Sequence, residues 1–329
     1  LSLAAGLLTF QGKTRLILLS TGGISMTIFK RILLFFAINA LVVLTLSLVL
    51  NLLHVRPYLN AYGIDYRALM AFCLIWGMGG ALISLALSRV MAKWIMGVKV
   101  IDPKTQDPQL HSFVALVHKL SQEAHLPEMP EVGVYQSNEV NAFATGPTKR
   151  KSLVAVSSGL LDRMSTREIE GVVAHEIAHI ANGDMVTMTL LQGIVNAFVM
   201  FLARALAWVF SGAGKSRDES HSSSNLSYIM MVFFFEVVFM ILGTMVIAAY
   251  SRFREYRADA GGAHLAGKEK MIAALQSLLS YQEVRNGRAE KAAFQNFKIS
   301  QTKHSGFLSL LASHPPLEKR IEKLREIQI

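Results

Sequence analysis

The residues best placed to do chemistry are His175-Glu176-Ile177-Ala178-His179. Two histidines four apart leave one helix face a single turn from each other, so two neutral imidazoles can share one divalent ion. The glutamate beside the first histidine can then work as a base. That chemistry is metal-assisted attack of water on a carbonyl, and it requires a helix. The flanks predict one: Ser165 with Glu168 reads as a capping box, Val172, Val173 and Ile177 supply apolar positions, and Asn182-Gly183 is a stop signal. The alternative is two histidines and a surface glutamate on an ordinary amphipathic helix.

A catalytic zinc usually has three protein ligands and one open position for water. The best third candidate lies in Glu255-Tyr256-Arg257-Ala258-Asp259. On a helix Glu255 and Asp259 share a face, so Glu255 could ligate the ion while Asp259 holds a ligand histidine through its other ring nitrogen. The competing reading is a set of surface salt bridges among Arg252, Arg254, Glu255 and Arg257.

About eighty residues separate the two motifs, and much of that interval is apolar. The chain has 329 residues, of which 52% are hydrophobic, which is too apolar for an ordinary soluble domain. Ile32 to Leu53 and Ala68 to Ser88 carry no charged side chain, and each is long enough to cross a bilayer as a helix. Val186 to Ala203 is a third uncharged run, continuing past Arg204, and Leu226 to Ser251 is a fourth, interrupted only by Glu236. Buried soluble helices are the alternative for the last two. Arg204 and Glu236 could pair, or Arg204 could snorkel to the interface. Gly80, Ser84 and Ser88 form a small-residue stripe on the second run, a candidate packing seam.

The formal net charge of +10 fits membrane topology better than nucleic acid, because no basic run interleaves with aromatics. Lys30 and Arg31, Arg89, Lys93 and Lys99, and Arg252, Arg254 and Arg257 flank the apolar runs. By the positive-inside rule these flanks are cytoplasmic, which places both candidate motifs on that side. An even number of crossings between His179 and Glu255 lets the two motifs meet. The lone cysteine, Cys73, excludes intrachain disulfides and thiolate clusters.

The fold class expected is a mostly α membrane protein: two transmembrane helical hairpins plus an α+β zincin-like cytoplasmic catalytic domain with a small β-sheet. Residues 1–25 read as an N-terminal extension that need not be native, since Met26 resembles a natural start and Lys13 and Arg15 interrupt any signal-peptide core. Residues 26–94 form the first hairpin, with spans at about 32–53 and 68–88. Residues 95–185 form the first part of the catalytic domain, 186–251 the second hairpin (spans at about 186–210 and 228–250), and 252–329 the second part. Asp107 and Pro108 open an amphipathic helix running to His125, Glu131 to Gln136 is a strand, and Asn141 to Thr145 with Ser152 to Ser157 form a hairpin. Lys268 to Val284 reads as a helix, Asn286 to Gly306 as a loop, and Pro315 to Ile327 as a short charged helix.

From about Met26 onward the chain resembles the HtpX membrane metalloproteases, integral-membrane relatives of the prenyl-CAAX proteases in the gluzincin class. The resemblance rests on Asn141-Ala142-Phe143-Ala144-Thr145-Gly146, on His175 to His179 continuing into Asn182-Gly183-Asp184, on Glu255 to Asp259, and on Ser313-His314-Pro315-Pro316. It implies one zinc per chain on His175, His179 and Glu255, with Glu176 as general base in the attack of zinc-activated water on a peptide carbonyl. It also implies that the segment Asn141, Ala142 and Phe143 lines the cleft as an edge strand able to pair with an extended substrate, where the bland reading is an ordinary hairpin. His314 either orients substrate or stabilises the transition state, or simply precedes a Pro-Pro helix start. Arg257 stands where some members have histidine and is not expected to be catalytic.

The function implied is an endopeptidase of the bacterial inner membrane, multi-pass, its site facing the cytoplasm, cleaving cytoplasmic regions of misfolded or damaged membrane proteins. Its partners are then polypeptides and the lipid bilayer, with no nucleic acid. An intramembrane protease is disfavoured, because Arg163, Arg167, Glu168, Glu170 and Asp184 make the motif helix too polar for lipid. The remaining alternative is a non-hydrolytic metal-binding membrane chaperone or adaptor, which would have no use for Glu176.

Overall fold

The computed structural model describes residues 65–210, 221–296 and 312–327, short strands at 59–60 and 63–64, and helical positions at Leu44, Leu48 and Leu52. The chain divides into two compact units, Leu1–Asn51 and Leu52–Ile329. The N-terminal extension and nearly all of the first apolar run lie outside the described residues. The second unit holds the sheet, the long helices and both candidate motifs.

Three described helices are long and apolar enough to cross a membrane. Helix α1, Tyr66–Ile95, follows a two-residue hairpin of β1 (Leu59–Asn60) and β2 (Gly63–Ile64). It starts where Asp65 Oδ1 accepts from the amides of Arg67 at 2.9 Å and Ala68 at 3.1 Å. It continues beyond the expected span to Ile95, and its last turns carry Arg89 and Lys93 to Glu131 of the sheet, the latter at 2.7 Å. Helix α5, Asp184–Phe210, and helix α6, His221–Ala266, complete the set. They run antiparallel: Asp184 meets Arg257 at one end, and Trp208 meets Tyr228 near the other. Phe198, Val209, Phe233, Met240 and Leu242 point outward and are largely exposed, which is a lipid-facing pattern and disfavours buried soluble helices. Arg204 and Glu236 pair at 2.6 Å, and the guanidinium also lies over the Phe72 ring.

Among the described residues, the close approach between α1 and α5 does not fall on the stripe that the sequence suggests. Gly80 has open space where its side chain would be, and Ser84 is exposed. The close approach is one turn earlier, where a Cβ on Gly77 would sit 2.6 Å from the backbone nitrogen of Ala197. Gly193 is equally tight, with a Cβ 2.6 Å from Met78 Sδ. Helix rotation, which the uniformly apolar sequence does not encode, decides which small residue faces the neighbour. Gly77→Ala is therefore expected to destabilise the protein by about 1–3 kcal/mol, the usual cost of overpacking. Gly80→Ala should be neutral, and thermal unfolding in detergent separates the two.

Between α1 and α5 the chain builds a four-stranded sheet in the order β3-β4-β6-β5, from β3 (Lys99–Val100), β4 (Glu131–Tyr135), β5 (Ala142–Thr145) and β6 (Leu153–Ser157). β4 and β6 are parallel, and β5 pairs antiparallel with β6, as the expected hairpin requires. Helix α2, Pro108–Glu123, and helix α4, Thr166–Asn182, share a core with one face of the sheet, formed by Val114, Val117, Leu120, Val132, Val154, Val156, Val173 and Ile177. The short helix α3, Ser158–Arg163, links β6 to α4.

Helix α7 runs Lys268–Asn296, beyond the expected end at Val284. The stretch 285–296 lacks the apolar periodicity that marks a helix in sequence, but Arg288-Ala289-Glu290-Lys291-Ala292-Ala293 is composed of strong helix formers, whose propensity favours continuing the helix into the expected loop. Residues 297–306 of that expected loop lie outside the described residues. Helix α8 begins at Leu317, with Pro316 at its cap, and packs Ile321 and Leu324 against Met271 and Leu275 of α7.

Candidate metal centre

Helix α4 forms because both ends are fixed. Ser165 and Glu168 complete the reciprocal box, the Ser165 amide donating to Glu168 Oε2 at 2.7 Å. Gly183 takes the left-handed conformation, φ 72°, that stops the helix, and the Lys149 ammonium donates to the carbonyl of Ala181 in the last turn. Between these ends α4 buries Val173, Ile177 and Ile180, and the next face carries His175 and His179, both buried. Their Nε2 atoms are 3.1 Å apart.

The third corner comes from α6. Glu255 is 1% exposed, an extreme burial for a carboxylate. Its oxygens lie 3.6 Å from His175 Nε2 and 3.4 Å from His179 Nε2. Ligands held about 2.1 Å from a tetrahedral zinc stand roughly 3.4 Å from one another, so the triangle has the size such an ion needs. One ligand atom from each of the three residues fits within 4.8 Å of the others. Two imidazoles and a carboxylate, with one position open, are a donor set typical of catalytic zinc.

The other nitrogen of each ring is also engaged. Asp259, one turn beyond Glu255, places Oδ1 3.0 Å from His175 Nδ1. Asp184 places Oδ2 2.7 Å from His179 Nδ1. With each Nδ1–H donated to a carboxylate, both Nε2 lone pairs face the same point. Burial pushes the His175 imidazole down, but hydrogen bonds to Asp259 and Glu255 outweigh it and lift it to about 9. The surroundings thus favour positive charge at this point, as a cation site demands.

Arg320 of α8 is buried and grips Asp259 through two bonds, Nε to Oδ2 at 2.8 Å and Nη2 to Oδ1 at 2.6 Å. It also reaches Glu255 Oε2 at 3.3 Å. The Arg257 guanidinium donates to Asp184 Oδ1 at 2.5 Å. His314, on the approach to α8, is mostly exposed, with its Nδ1 3.1 Å from Glu255 Oε2.

A cavity of about 140 Å³ opens beside the triad. Glu176, half-buried, lines it together with Asn141, Ala142, His314 and Arg320, while Leu160, Val172, Met271, Leu275 and Leu278 give it an apolar wall. β5 is the edge strand on this side. Phe143 is not part of the cavity: strand alternation turns it to the opposite sheet face, where its ring lies 5.8 Å from that of Tyr135. The structure therefore brings together His175, His179, Glu255, Asp259, Glu176, His314, Asn141 and Ala142, and places Phe143 behind the sheet.

Three residues at the centre escape a reading of the sequence. Arg320 carries a signal that could have been read, because it falls on the same face of α8 as Leu317, Ile321 and Leu324, an arginine among apolar positions. Asp184 is visible in sequence only as part of a motif, and nothing there pairs Arg257 with it.

Among known proteins, the family described as Peptidase family M48 matches residues 104–328. Proteins named Protease HtpX homolog from Bacillus velezensis and Bacillus subtilis are each 50% identical, over 90% of this chain and 98% of their own length. Protease HtpX of Shewanella loihica is 48% identical over 298 residues, 90% of this chain and 99% of that one. The crystal structure of S. mikatae Ste24p matches with a TM-score of 0.59 at 16% identity, over 88% of this chain. The chain spans 62% of that protein, and the likeness is one of fold.

Proposed function

The chain belongs to peptidase family M48, among its HtpX proteases, and from that premise we propose that it is a zinc endopeptidase cutting cytoplasmic segments of misfolded or damaged membrane proteins. It is a membrane-embedded metalloprotease, and polypeptides are its substrates. The observation that carries the finer reading is the buried His175, His179 and Glu255 triangle, set beside Glu176 in a cleft that runs along a sheet edge.

In this reading His175, His179 and Glu255 hold the ion, which supplies Lewis-acid polarisation of water and of the scissile carbonyl. Glu176 takes a proton from the attacking water and gives it to the leaving amine. The edge of β5 at Asn141 and Ala142 pairs with the substrate backbone, and His314 orients the bound chain from the exposed side. Phe143 supports β5 from behind the sheet. Residues 95–185 and 252–329 act as two halves of one catalytic domain, joined through the hairpin of α5 and α6. The basic flanks of the spans support a cytoplasmic site in the inner membrane.

The test is cleavage of a destabilised membrane protein by the purified full chain in detergent, with zinc and after chelation. Zinc-dependent fragments confined to cytoplasmic segments support the reading, and zinc-loaded protein that cuts nothing overturns it. Sidedness is checked with a tag placed after Ile327, digested in inverted vesicles and protected in intact cells. The apolar wall of the cavity adds an expectation. In a peptide library, bonds flanked by Leu, Ile, Met or Phe are cut roughly ten-fold or more faster than those flanked by Asp or Lys.

A further inference from the structure

Asp184 is the first residue of a membrane-crossing helix, yet it is fully buried and divides its two oxygens between different partners. Oδ2 lies 2.7 Å from His179 Nδ1, and Oδ1 accepts from Arg257 Nη2 at 2.5 Å. A buried ion pair that merely joined α5 to α6 would need only the second contact. The first aims the carboxylate at the ring nitrogen that faces away from the metal triangle. Arg257 lies two residues past Glu255 on α6, with its side chain 43% exposed, so it reaches the acid from the solvent side and fixes its other oxygen.

We infer that Asp184 is a positioning residue for His179, and that Arg257 positions Asp184. The inference rests on the reading of His175, His179 and Glu255 as metal ligands. Accepting the Nδ1 proton fixes the tautomer in which Nε2 carries the lone pair, and it locks the rotation of the ring. His175 is served in the same way by Asp259 and Arg320, so each histidine has its own carboxylate and guanidinium. The two sets differ in origin. Arg320 comes from the C-terminal helix α8, whereas Asp184 and Arg257 belong to the membrane hairpin. The second histidine is therefore aimed by the helices that cross the bilayer.

The experiment uses the full chain in detergent, with zinc affinity read by competition against a chromogenic chelator. The visible spectrum of the cobalt-loaded protein reports ligand geometry, and thermal unfolding of the metal-free protein reports structure. Asp184→Ala should weaken zinc about 10–100-fold and shift the cobalt bands. Asp184→Asn keeps an acceptor oxygen in place and should recover most of the affinity. If the alanine variant does not fold, Asp184→Ser, whose hydroxyl is too short to reach His179 Nδ1, carries the test with the same expected loss. Arg257→Ala should weaken zinc by a smaller factor, and Arg257→Lys should restore part of it. Unchanged affinity and unchanged cobalt bands in Asp184→Ala, or in Asp184→Ser where the alanine variant does not fold, would overturn the inference, as would losses that merely follow a lowered melting temperature. His179→Ala is the control. If it binds zinc as well as the parent chain, the metal reading itself has failed, and this inference falls with it.

Discussion

Replacing Glu176 by glutamine is expected to slow peptide cleavage by about a thousand-fold, within the range for removal of a general base, while the zinc content stays at that of the parent protein. The side chain sits in the cleft beside His175 but outside the triangle of ligand atoms. An amide fills the same space and cannot take the proton, so binding and chemistry should separate cleanly. Turnover of a single peptide, with metal content measured on the same sample, checks this. Undiminished cleavage by a zinc-loaded Glu176→Gln protein would return Glu176 to the role of a surface glutamate. A parent protein that holds zinc and cleaves nothing would instead favour the non-hydrolytic chaperone or adaptor.

Glu255→Ala is expected to take the purified protein from one zinc per chain to nearly none. Two imidazoles remain, and two ligands do not make a catalytic site. The loss should exceed the roughly 10–100-fold expected for Asp259→Ala, which removes an outer partner of His175 and leaves all three ligands in place. Metal analysis by mass spectrometry on the two variants ranks them. Zinc kept by Glu255→Ala and lost by Asp259→Ala would reverse the assignment of ligand and outer carboxylate. The alanine variant also removes the partner of His314 and one partner of Arg320, so its folding should be confirmed by circular dichroism.

What the sequence discloses about this centre is whatever recurs at helical spacing. His175 and His179 are one turn apart, as are Glu255 and Asp259, and each pair can be read as one face of one helix. The cap at Ser165, the stop at Gly183 and the strand pair around Gly146 are equally local, and the structure keeps all of them. What stays hidden is contact between elements distant in sequence. Asp184 and Arg257 are seventy-three residues apart, and Asp259 and Arg320 sixty-one, so neither pair has a period to betray it. The apolar spans show a further gap. They announce their length but not their rotation, which is why, among the described residues, the close approach of α1 to α5 falls at Gly77 rather than at Gly80. Phe143 is a third case, since a strand pattern shows that neighbours face opposite ways but not which way is the cleft.

Helix α6 passes without a break from its apolar stretch to Glu255, the proposed third ligand, which lies four positions beyond Ser251. At about 1.5 Å per residue the ligand stands roughly 6 Å along the axis from the end of the apolar stretch. A helix cannot stretch, so in the proposed reading the metal site is held at a fixed height beyond the apolar stretch. An extended chain emerging from the same bilayer covers that distance in about two residues. For a membrane-anchored polypeptide, the bond presented for cutting is then chosen largely by its distance from the lipid surface. Different proteins would be trimmed to stubs of similar length, with the apolar wall of the cleft choosing among the few bonds at that height, and a flexible loop far from the membrane would be reached only by bending back toward it.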